Sequence, residues 1–489
     1  MSTSAGSQRP ALVLFRHDLR LADNLALTAA AATGKPVVCL YVRDDGVSGA
    51  REIGAARKWW LHHSLTALTA SLENLGVPLH LRRGEMQAIV VSATEESGAD
   101  LVLWNRRYYP HGRQADTETK AMLGEFGIDG RSFEGHLLHE PWRLKTGSGG
   151  PYKVFTPLWR ALQTEVELRE PAPAPDRLKP GPAIASERLA DWALLPGKPD
   201  WAREFSSVWT PGEGGAQAHL DHFINGPIKE YGHGRDIPGD ESTSRLSPHL
   251  AHGEITPAQI FSALASSANG GSADADVFRK ELGWREFCWH LLFHHGELET
   301  RNVNRAFDAF PWRDDHRALS AWQRGATGYP IVDAGMRQLW RTGWMHNRVR
   351  MIVASFLSKH LLIDWRAGER WFWDTLVDAD PANNPANWQW VAGSGADAAP
   401  YFRIFNPILQ GEKFDAKGGY VRTFVPELAK LPDRLIHRPF DADETTLLSA
   451  GVKLGENYPV SAVDHVEARR RALDAYNRMR GTDDDRDPG

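Results

Sequence analysis

An alternation of strand-like and helix-like segments over the first 135 residues most constrains the fold of this chain. Short apolar runs rich in β-branched residues are separated by longer segments of helical character. They predict strands over 11–15, 36–42, 77–81 and 100–104, and helices over 24–33, 59–75 and 87–96. Because strands that alternate with helices form a parallel sheet covered on both faces, this part predicts a Rossmann-like α/β domain.

The turn after the first strand lacks the usual sign of a dinucleotide site. Phe15, Arg16, His17 and Asp18 stand where a glycine-rich G-x-G-x-x-G loop would follow the strand. The usual dinucleotide fingerprint is therefore absent from this domain.

A change of composition separates this domain from the rest of the chain. Proline and glycine are frequent between 169 and 215, which indicates a connecting segment. Beyond it, Ser247 and Thr256 each precede a proline, a pairing typical of the first turn of a helix. We therefore predict a disordered N-terminus at 1–10, the α/β domain at 11–135, a linker at 136–215, a large all-α domain at 216–480 and a disordered tail at 481–489.

Composition excludes several classes of protein. A chain of 489 residues with 42% hydrophobic and 24% charged residues is typical of a soluble protein with more than one domain. Cys39 and Cys288 are too few for a disulfide framework, and neither a signal peptide nor a membrane-spanning apolar run is visible. We expect a cytoplasmic protein without a membrane or metal site. Because the net charge is -5, binding of nucleic acid would need a local basic patch.

A segment rich in hydroxyl groups stands immediately before a predicted helix. It consists of Thr243, Ser244, Arg245, Leu246 and Ser247. Hydroxyls, free backbone N–H groups and a helix dipole favour a phosphate, but an ordinary helix cap explains the segment equally simply. Upstream, Tyr231 and Arg235 add a ring and a second cation.

Two sets of residues share helix faces. Glu281 and Trp284 are three residues apart, and Asn347, Arg350 and Met351 follow the same spacing. A carboxylate beside an indole suits proton or hydrogen-bond chemistry in a desolvated pocket. Packing between helices is the alternative for both sets.

The third cluster is a segment rich in carboxylates and amides, broken by prolines. It contains Asp378, Asp380 and Asn384, and it predicts a loop bonded internally or to a ligand. Trp388 and Trp390 follow and would point in different directions on a helix.

Tryptophan is unusually frequent: it occurs 19 times, and more than half of these residues lie between Trp284 and Trp390. Large core side chains, a relay of oxidisable rings, or platforms for nucleobases would each explain this surplus.

Six segments, in this order, resemble the DNA photolyase/cryptochrome family over nearly the full chain. They are TSRLSPHLAHG from Thr243, ELGWREF from Glu281, GYPIVDAGMRQL from Gly328, GWMHNRVRMIVASFL from Gly343, DADPANNPANWQW from Asp378 and APYFRIFNPILQGEKFD from Ala399. The resemblance implies an antenna pigment in the α/β domain and FAD in the helical domain.

The resemblance also assigns residues to FAD. Asn384 would face flavin N5, and Asp378 would pair with Arg350. The other implied FAD contacts are Tyr231, Thr243, Ser244, Arg245, Leu246, Ser247, Phe278, Ala379 and Asp380. Trp388, Trp365 and Trp312 would form an electron relay to the surface, with Trp344 as a side branch.

For the substrate, the resemblance implies UV-damaged DNA, single- or double-stranded, bound by a monomer. Glu281, Trp284, Asn347, Met351 and Trp390 match the lesion pocket of photolyases. Arg235, Arg348 and Gln410 match positions that contact DNA. Blue light would drive an electron from reduced FAD into the lesion, as in a deoxyribodipyrimidine photo-lyase.

Three features separate the branches of the family. Photolyases for 6-4 photoproducts carry histidines at the positions of Asn347 and Met351, so this chain resembles those for cyclobutane pyrimidine dimers. A cryptochrome-type photoreceptor is the alternative, although the Asn384 amide and Trp284 favour repair.

For the antenna, His111 and Gly112 depart from a known folate-binding pair. The class III pattern implies methenyltetrahydrofolate, with 8-hydroxy-deazaflavin or no antenna as alternatives.

Overall fold

The computed structural model describes residues 8–47, 50–397 and 402–484, and the α/β part begins with a five-stranded parallel sheet in the order β3-β2-β1-β4-β5. The strands are β1 (Ala11–Phe15), β2 (Val37–Arg43), β3 (Leu79–Arg83), β4 (Leu101–Asn105) and β5 (Asp129–Phe133). Helices α1 (Leu25–Ala32), α2 (Ala55–Asn74), α3 (Met86–Ser97) and α4 (Pro110–Glu125) cover it. The four predicted strands and three predicted helices are confirmed. The sequence did not predict β5, because the polar sequence DGRSF forms a partly exposed edge.

The segment predicted as a linker is packed against both parts of the molecule. It contains helix α5 (Phe155–Glu165), which packs on α10 (Ala273–His295) of the helical part. Further along, the N–H of Gly181 donates to Val37 O at 2.9 Å, and Leu178 is buried in the core of the sheet. The frequent prolines therefore mark an extended segment that follows the sheet, rather than a free tether.

The rest of the described chain is helical. The helices are α6 (Glu213–Asn225), α7 (Tyr231–Gly234), α8 (Ser247–His252), α9 (Pro257–Ser266), α10, α11 (His316–Gln323), α12 (Pro330–Thr342), α13 (Asn347–Ser355), α14 (Trp365–Thr375), α15 (Asn383–Ala392), α16 (Pro407–Phe414), α17 (Gly419–Phe424), α18 (Glu444–Ala450) and α19 (His465–Asp484). Short 3-10 turns join several of them, and a π-helical turn, Phe356–His360, follows α13. This confirms the predicted all-α domain.

Two predicted ends fall partly outside the described residues. Residues 1–7 and 485–489 lie outside them, whereas α19 continues to Asp484, four residues into the predicted tail. Thr256 caps α9 with a complete capping box, as predicted. Ser247 does not cap α8, because it is the first residue of that helix and its hydroxyl bonds to Asp378.

The two domains meet where α2 begins and α14 ends. The N–H of Ala55 donates to Asp374 Oδ1 at 2.9 Å, and Trp373 Nε1 donates to Glu52 O at 2.8 Å. The approach is so close that a Cβ on Gly54 would lie 2.0 Å from Trp373 O. This contact leaves room for glycine alone at position 54.

Asp23 makes a second junction, at the start of α1. Arg169 of the linker segment pairs with it, and Thr256 Oγ1 of the helical domain donates to its Oδ2 at 2.6 Å. No helix in the described ranges is long and apolar enough to cross a membrane, and these ranges hold no group of three or more metal-ligating side chains.

Candidate functional site

A cavity of about 470 Å³ opens among helices α8, α10, α13 and α15. It gathers most of the residues that the sequence singled out, although they are spread over 160 positions of the chain. These are Tyr231, Arg235, Ser244, Leu246, Ser247, Phe278, Glu281, Trp284, Asn347, Arg350, Met351, Asp378, Ala379, Asp380, Asn384, Trp388 and Trp390. We call this space the helical-domain cavity.

An ion pair lies in the wall of this cavity. Arg350 donates to Asp378 Oδ1 at 3.1 Å and to Oδ2 at 2.8 Å, which confirms the predicted pair. The hydroxyl of Ser247 donates to the same Oδ2 at 2.7 Å. Because Asp378 is buried and fully engaged, it fixes α8 and α13 relative to each other and leaves no uncompensated carboxylate.

Asp380 stabilises the first turn of α15. Its Oδ1 accepts the N–H of Ala382 at 2.8 Å and of Asn383 at 2.5 Å. Burial raises the pKa of Asp380, while the Asn383 N–H and the Arg285 guanidinium act in the opposite direction. The segment predicted as a loop is thus a loop only as far as Ala382, and Asn384 lies in the first turn of a helix.

The side-chain amide of Asn384 is held from behind by α14. Its Nδ2 donates to Glu369 O at 3.1 Å and to Glu369 Oε1 at 2.8 Å. Glu369 is buried and was not singled out in the sequence, where it reads as one more charge on an amphipathic helix. No motif in the sequence identifies it.

The mouth of the cavity combines stacked rings with an ion pair. Phe155 lies on Trp284 with ring centroids 3.7 Å apart and planes 7° apart, and Phe155 was not predicted. Arg235 donates to Glu281, and its guanidinium lies 5.6 Å from the Tyr231 ring. The carboxylate and a predicted DNA-binding cation are therefore partners of each other.

Some predicted residues lie outside the cavity wall. Arg348 pairs with Asp236 at 2.6 Å. Arg245 has a positive φ of 53°, and its guanidinium lies 5.4 Å from the Trp344 ring. Thr243 and Gln410 are also absent from the lining, so the hydroxyl-rich segment reaches the cavity through Ser244, Leu246 and Ser247.

The three tryptophans of the predicted relay differ in exposure. Trp388 and Trp365 are buried, and Trp312 is partly exposed. Trp388 packs so closely on α14 that a Cβ on Gly368 would lie 2.1 Å from its ring. Trp365 Nε1 donates to Asn302 Oδ1 at 2.9 Å, which fixes the ring. The two ends of the predicted relay therefore lie at the cavity, which Trp388 lines, and at the surface, where Trp312 is partly exposed.

A second cavity, of about 280 Å³, lies between the two domains at the carboxyl ends of β1 and β2. We call it the interdomain cavity. Its lining includes Arg16, His17, Tyr41, Arg43, Asp44, Arg51, Arg57, Tyr109, His111, His252, Glu299 and Trp373. Apart from His111, the sequence did not assign these residues to a ligand. For Arg16, His17 and Asp44, the positions directly after β1 and β2 could have done so, because ligands bind at the carboxyl ends of parallel strands.

Arg57 is the most unusual group in the interdomain cavity. It is buried, its Nε has no hydrogen-bond partner, and within the described part of the chain it forms no ion pair. Burial and the charges of Arg57 and Arg107 hold the pKa of His17 well below its usual range. A buried cation without a partner is costly, so this cavity suits a ligand with negative charge.

Family comparisons agree with this arrangement. The family model described as the FAD binding domain of DNA photolyase matches residues 278–478, and the model described as DNA photolyase matches residues 11–176.

Individual relatives match nearly the whole chain. The deoxyribodipyrimidine photo-lyase of Agrobacterium fabrum is 58% identical over 97% of this chain and 98% of its own. The crystal structure of a class III photolyase from Agrobacterium tumefaciens has a TM-score of 0.95 and 57% identity, over 98% of this chain and 99% of that one. Cryptochrome-1 of Arabidopsis thaliana is 37% identical over 98% of this chain and 71% of its own.

Proposed function

The chain belongs to the DNA photolyase family, and we propose that it is a deoxyribodipyrimidine photo-lyase that splits cyclobutane pyrimidine dimers in the helical-domain cavity. The observation that carries the proposal is that this one cavity holds both the residues that suit FAD and those that suit a pyrimidine dimer. Asn347 and Met351 line the wall where a photolyase for 6-4 photoproducts would carry histidines. The relative with 58% identity is a photo-lyase, which supports the same activity.

The donors of the cavity fit FAD. Ser244 and Tyr231 provide hydroxyls near the start of α8, where a diphosphate would be held by O–H and N–H donors, while Ser247 is held by Asp378. Deeper in the cavity, Arg350 and Asn384 provide polar groups against apolar walls, as a flat heterocycle requires. Bound FAD in its reduced form supplies the light-driven electron transfer.

The mouth of the cavity would hold the lesion. A dimer inside a stacked duplex is inaccessible, so it must be flipped out, and Trp284 and Trp390 offer ring faces on which its pyrimidines can stack. The Glu281 carboxylate would accept a hydrogen bond from a pyrimidine N–H of the lesion. Since Arg235 pairs with Glu281, we expect a DNA phosphate to take over Arg235 when the lesion enters.

Two further roles follow from the packing. Trp388, Trp365 and Trp312 would restore the reduced state of the flavin by carrying electrons inward from the surface.

The interdomain cavity would hold the antenna, which we propose to be methenyltetrahydrofolate, because its carboxylates would supply the counter-charge that Arg57 lacks. An 8-hydroxy-deazaflavin is the second candidate. We also propose that the protein acts as a cytoplasmic monomer on UV-damaged DNA.

The test is repair of a defined lesion. Reduced, FAD-loaded protein is mixed with an oligonucleotide carrying one thymine dimer, and dimers are counted after blue light and after darkness. We expect loss of dimers in light alone, and no loss when the oligonucleotide carries a 6-4 photoproduct. Flavin photochemistry without dimer loss would refute the assignment and favour the photoreceptor alternative.

A further inference from the structure

A chain of hydrogen bonds leads from the α/β domain to the helical-domain cavity. Arg51 lies just before α2 and donates to Glu369 Oε1 at 2.8 Å and to Oε2 at 2.9 Å. Glu369 Oε1 also accepts the Nδ2 of Asn384 at 2.8 Å. One buried carboxylate therefore joins a cation of the first domain to an amide in the wall of the second domain's cavity.

This geometry fixes the orientation of the Asn384 amide. Both partners of its Nδ2, the backbone carbonyl and the carboxylate of Glu369, can only accept hydrogen bonds. The amide nitrogen must therefore face Glu369, which leaves Oδ1 for the cavity. No hydrogen bond to this Oδ1 forms within 8–47, 50–397 or 402–484. The cavity thus meets an acceptor at this position.

An acceptor distinguishes the two redox forms of a flavin. Reduced flavin carries a hydrogen on N5 and can donate to Oδ1, whereas oxidised flavin offers a lone pair there. An amide turned the other way would present N–H and would favour the oxidised form. The orientation of Asn384 therefore bears on how readily bound FAD is reduced.

Arg51 holds the Glu369 carboxylate in place against Asn384. The guanidinium stacks 4.0 Å from the centre of the Trp373 ring and meets the carboxylate with both of its outer nitrogens. Among the described residues, no other cation pairs with Glu369. Without this partner the buried carboxylate would lose its ion pair and could rotate away from Asn384. Only the Glu369 carbonyl, at 3.1 Å, would then accept from Nδ2, so the amide of Asn384 would be held in this orientation less firmly.

Resting on the proposed flavin function, we propose that Arg51 of the α/β domain is a positioning residue for the flavin. It acts through Glu369 to keep the oxygen of Asn384 toward the cavity. The first domain then takes part in setting the redox balance of a cofactor bound in the second.

The experiment measures the reduction equilibrium of bound FAD against a reference dye, in full-length protein. We expect Arg51→Ala to lower the equilibrium constant for reduction about fivefold or more, and Arg51→Lys to restore part of it. Asp374→Ala is the matched control, because it removes the Ala55 bond of the same domain contact and leaves the Arg51–Glu369 pair in place. An equal fall in that control would overturn the proposal.

A second background separates positioning from long-range charge. If Arg51 acts through the amide, Arg51→Ala should have no further effect in Asn384→Ala protein. An undiminished effect there would show that Arg51 acts by charge alone. Difference infrared spectra should also show a shifted Asn384 carbonyl band in Arg51→Ala. If Arg51→Ala does not fold, Arg51→Lys gives the answer, with a smaller fall.

Failure of this inference is distinct from failure of the proposed function. A protein that binds FAD and repairs dimers, but in which Arg51→Ala matches the wild type, would refute the role of Arg51 alone. A protein without FAD or without repair would refute the function on which it rests.

Discussion

The two cavities differ in how their charges are balanced. In the helical-domain cavity the charged groups have partners within the chain: Arg350 pairs with Asp378, and Arg235 with Glu281. In the interdomain cavity the buried Arg57 has no ion-pair partner within the described ranges. The ion pairs of the first cavity are therefore already formed without a ligand. In the second, an anionic ligand such as the proposed antenna would supply the counter-charge that Arg57 lacks.

This difference predicts how each cavity should respond to the loss of a charged side chain. Breaking an internal pair leaves its partner buried without a counter-charge, so the helical-domain cavity should be sensitive to loss of either member. Removing the unpaired cation of the interdomain cavity leaves no orphan in the protein. This removal should weaken ligand binding without lowering the stability of the fold.

The largest expected effect comes from Arg350→Ala. It leaves Asp378 buried without its cation, so we expect FAD to bind about tenfold to a hundredfold more weakly, with antenna absorbance retained. Flavin and antenna absorbance per protein, measured after gel filtration, report both ligands. Arg337→Ala is the control, because Arg337 is equally exposed, at 25%, and pairs with Glu427 away from the cavity. Loss of both pigments in Arg350→Ala would contradict the proposed difference between the two cavities.

A smaller and reciprocal effect is expected from Arg57→Met. The methionine fills the space and removes the buried charge, so near-ultraviolet antenna absorbance should fall about tenfold while FAD stays bound. Thermal unfolding should change little. Arg82→Met serves as the control, since Arg82 pairs with Glu96 and does not line the interdomain cavity. Antenna retention in Arg57→Met would show that the interdomain cavity is not the antenna site.

The smallest effect is expected at the Asp23 junction, which belongs to neither cavity. Burial would raise the pKa of Asp23, but hydrogen bonds from Arg169 and Thr256 outweigh it and lower the pKa. Asp23→Asn should therefore lower the melting temperature by about 3 °C near neutral pH, with both pigments retained.

The pH dependence of this effect has a definite sign. A lowered pKa stabilises the fold above the unfolded value of 3.8, and this contribution is lost as pH falls through the folded pKa. The melting difference between wild type and Asp23→Asn should thus be full above about pH 4 and shrink below it. Asp176→Asn, at an exposed position of the same segment as Arg169, provides the control. A difference that grows in acid would contradict the pKa direction.

The sequence predicted more of the helical-domain cavity than of the interdomain cavity. Trp284, Asn384 and Trp388 belong to dense motifs in which each residue type suggests its chemistry. Arg57 and Trp373 are single residues of ordinary helices, separated by more than 300 positions. Their shared role arises only when the domains meet.

The same reason explains why the sequence did not predict Arg51 and Glu369, the first two residues of the hydrogen-bonded series that ends at Asn384. A charge on an amphipathic helix, such as Glu369, is usually exposed, and its partner lies 318 residues away. Local sequence patterns predicted four strands of the α/β domain and the Thr256 cap, because such features depend on residues that are neighbours in the sequence. They failed for β5 and for the packed linker segment, whose structures depend on the rest of the sheet.

Helix α14 connects the two cavities. Its residue Glu369 reaches the wall of one cavity, and Trp373, four residues later, lines the other. At about 1.5 Å per residue, these positions are about 6 Å apart along the helix axis. Because a helix is stiff along its axis, α14 would fix the distance between the proposed antenna in one cavity and FAD in the other. Dipolar energy transfer falls steeply with distance, so a fixed distance would keep the transfer efficiency constant.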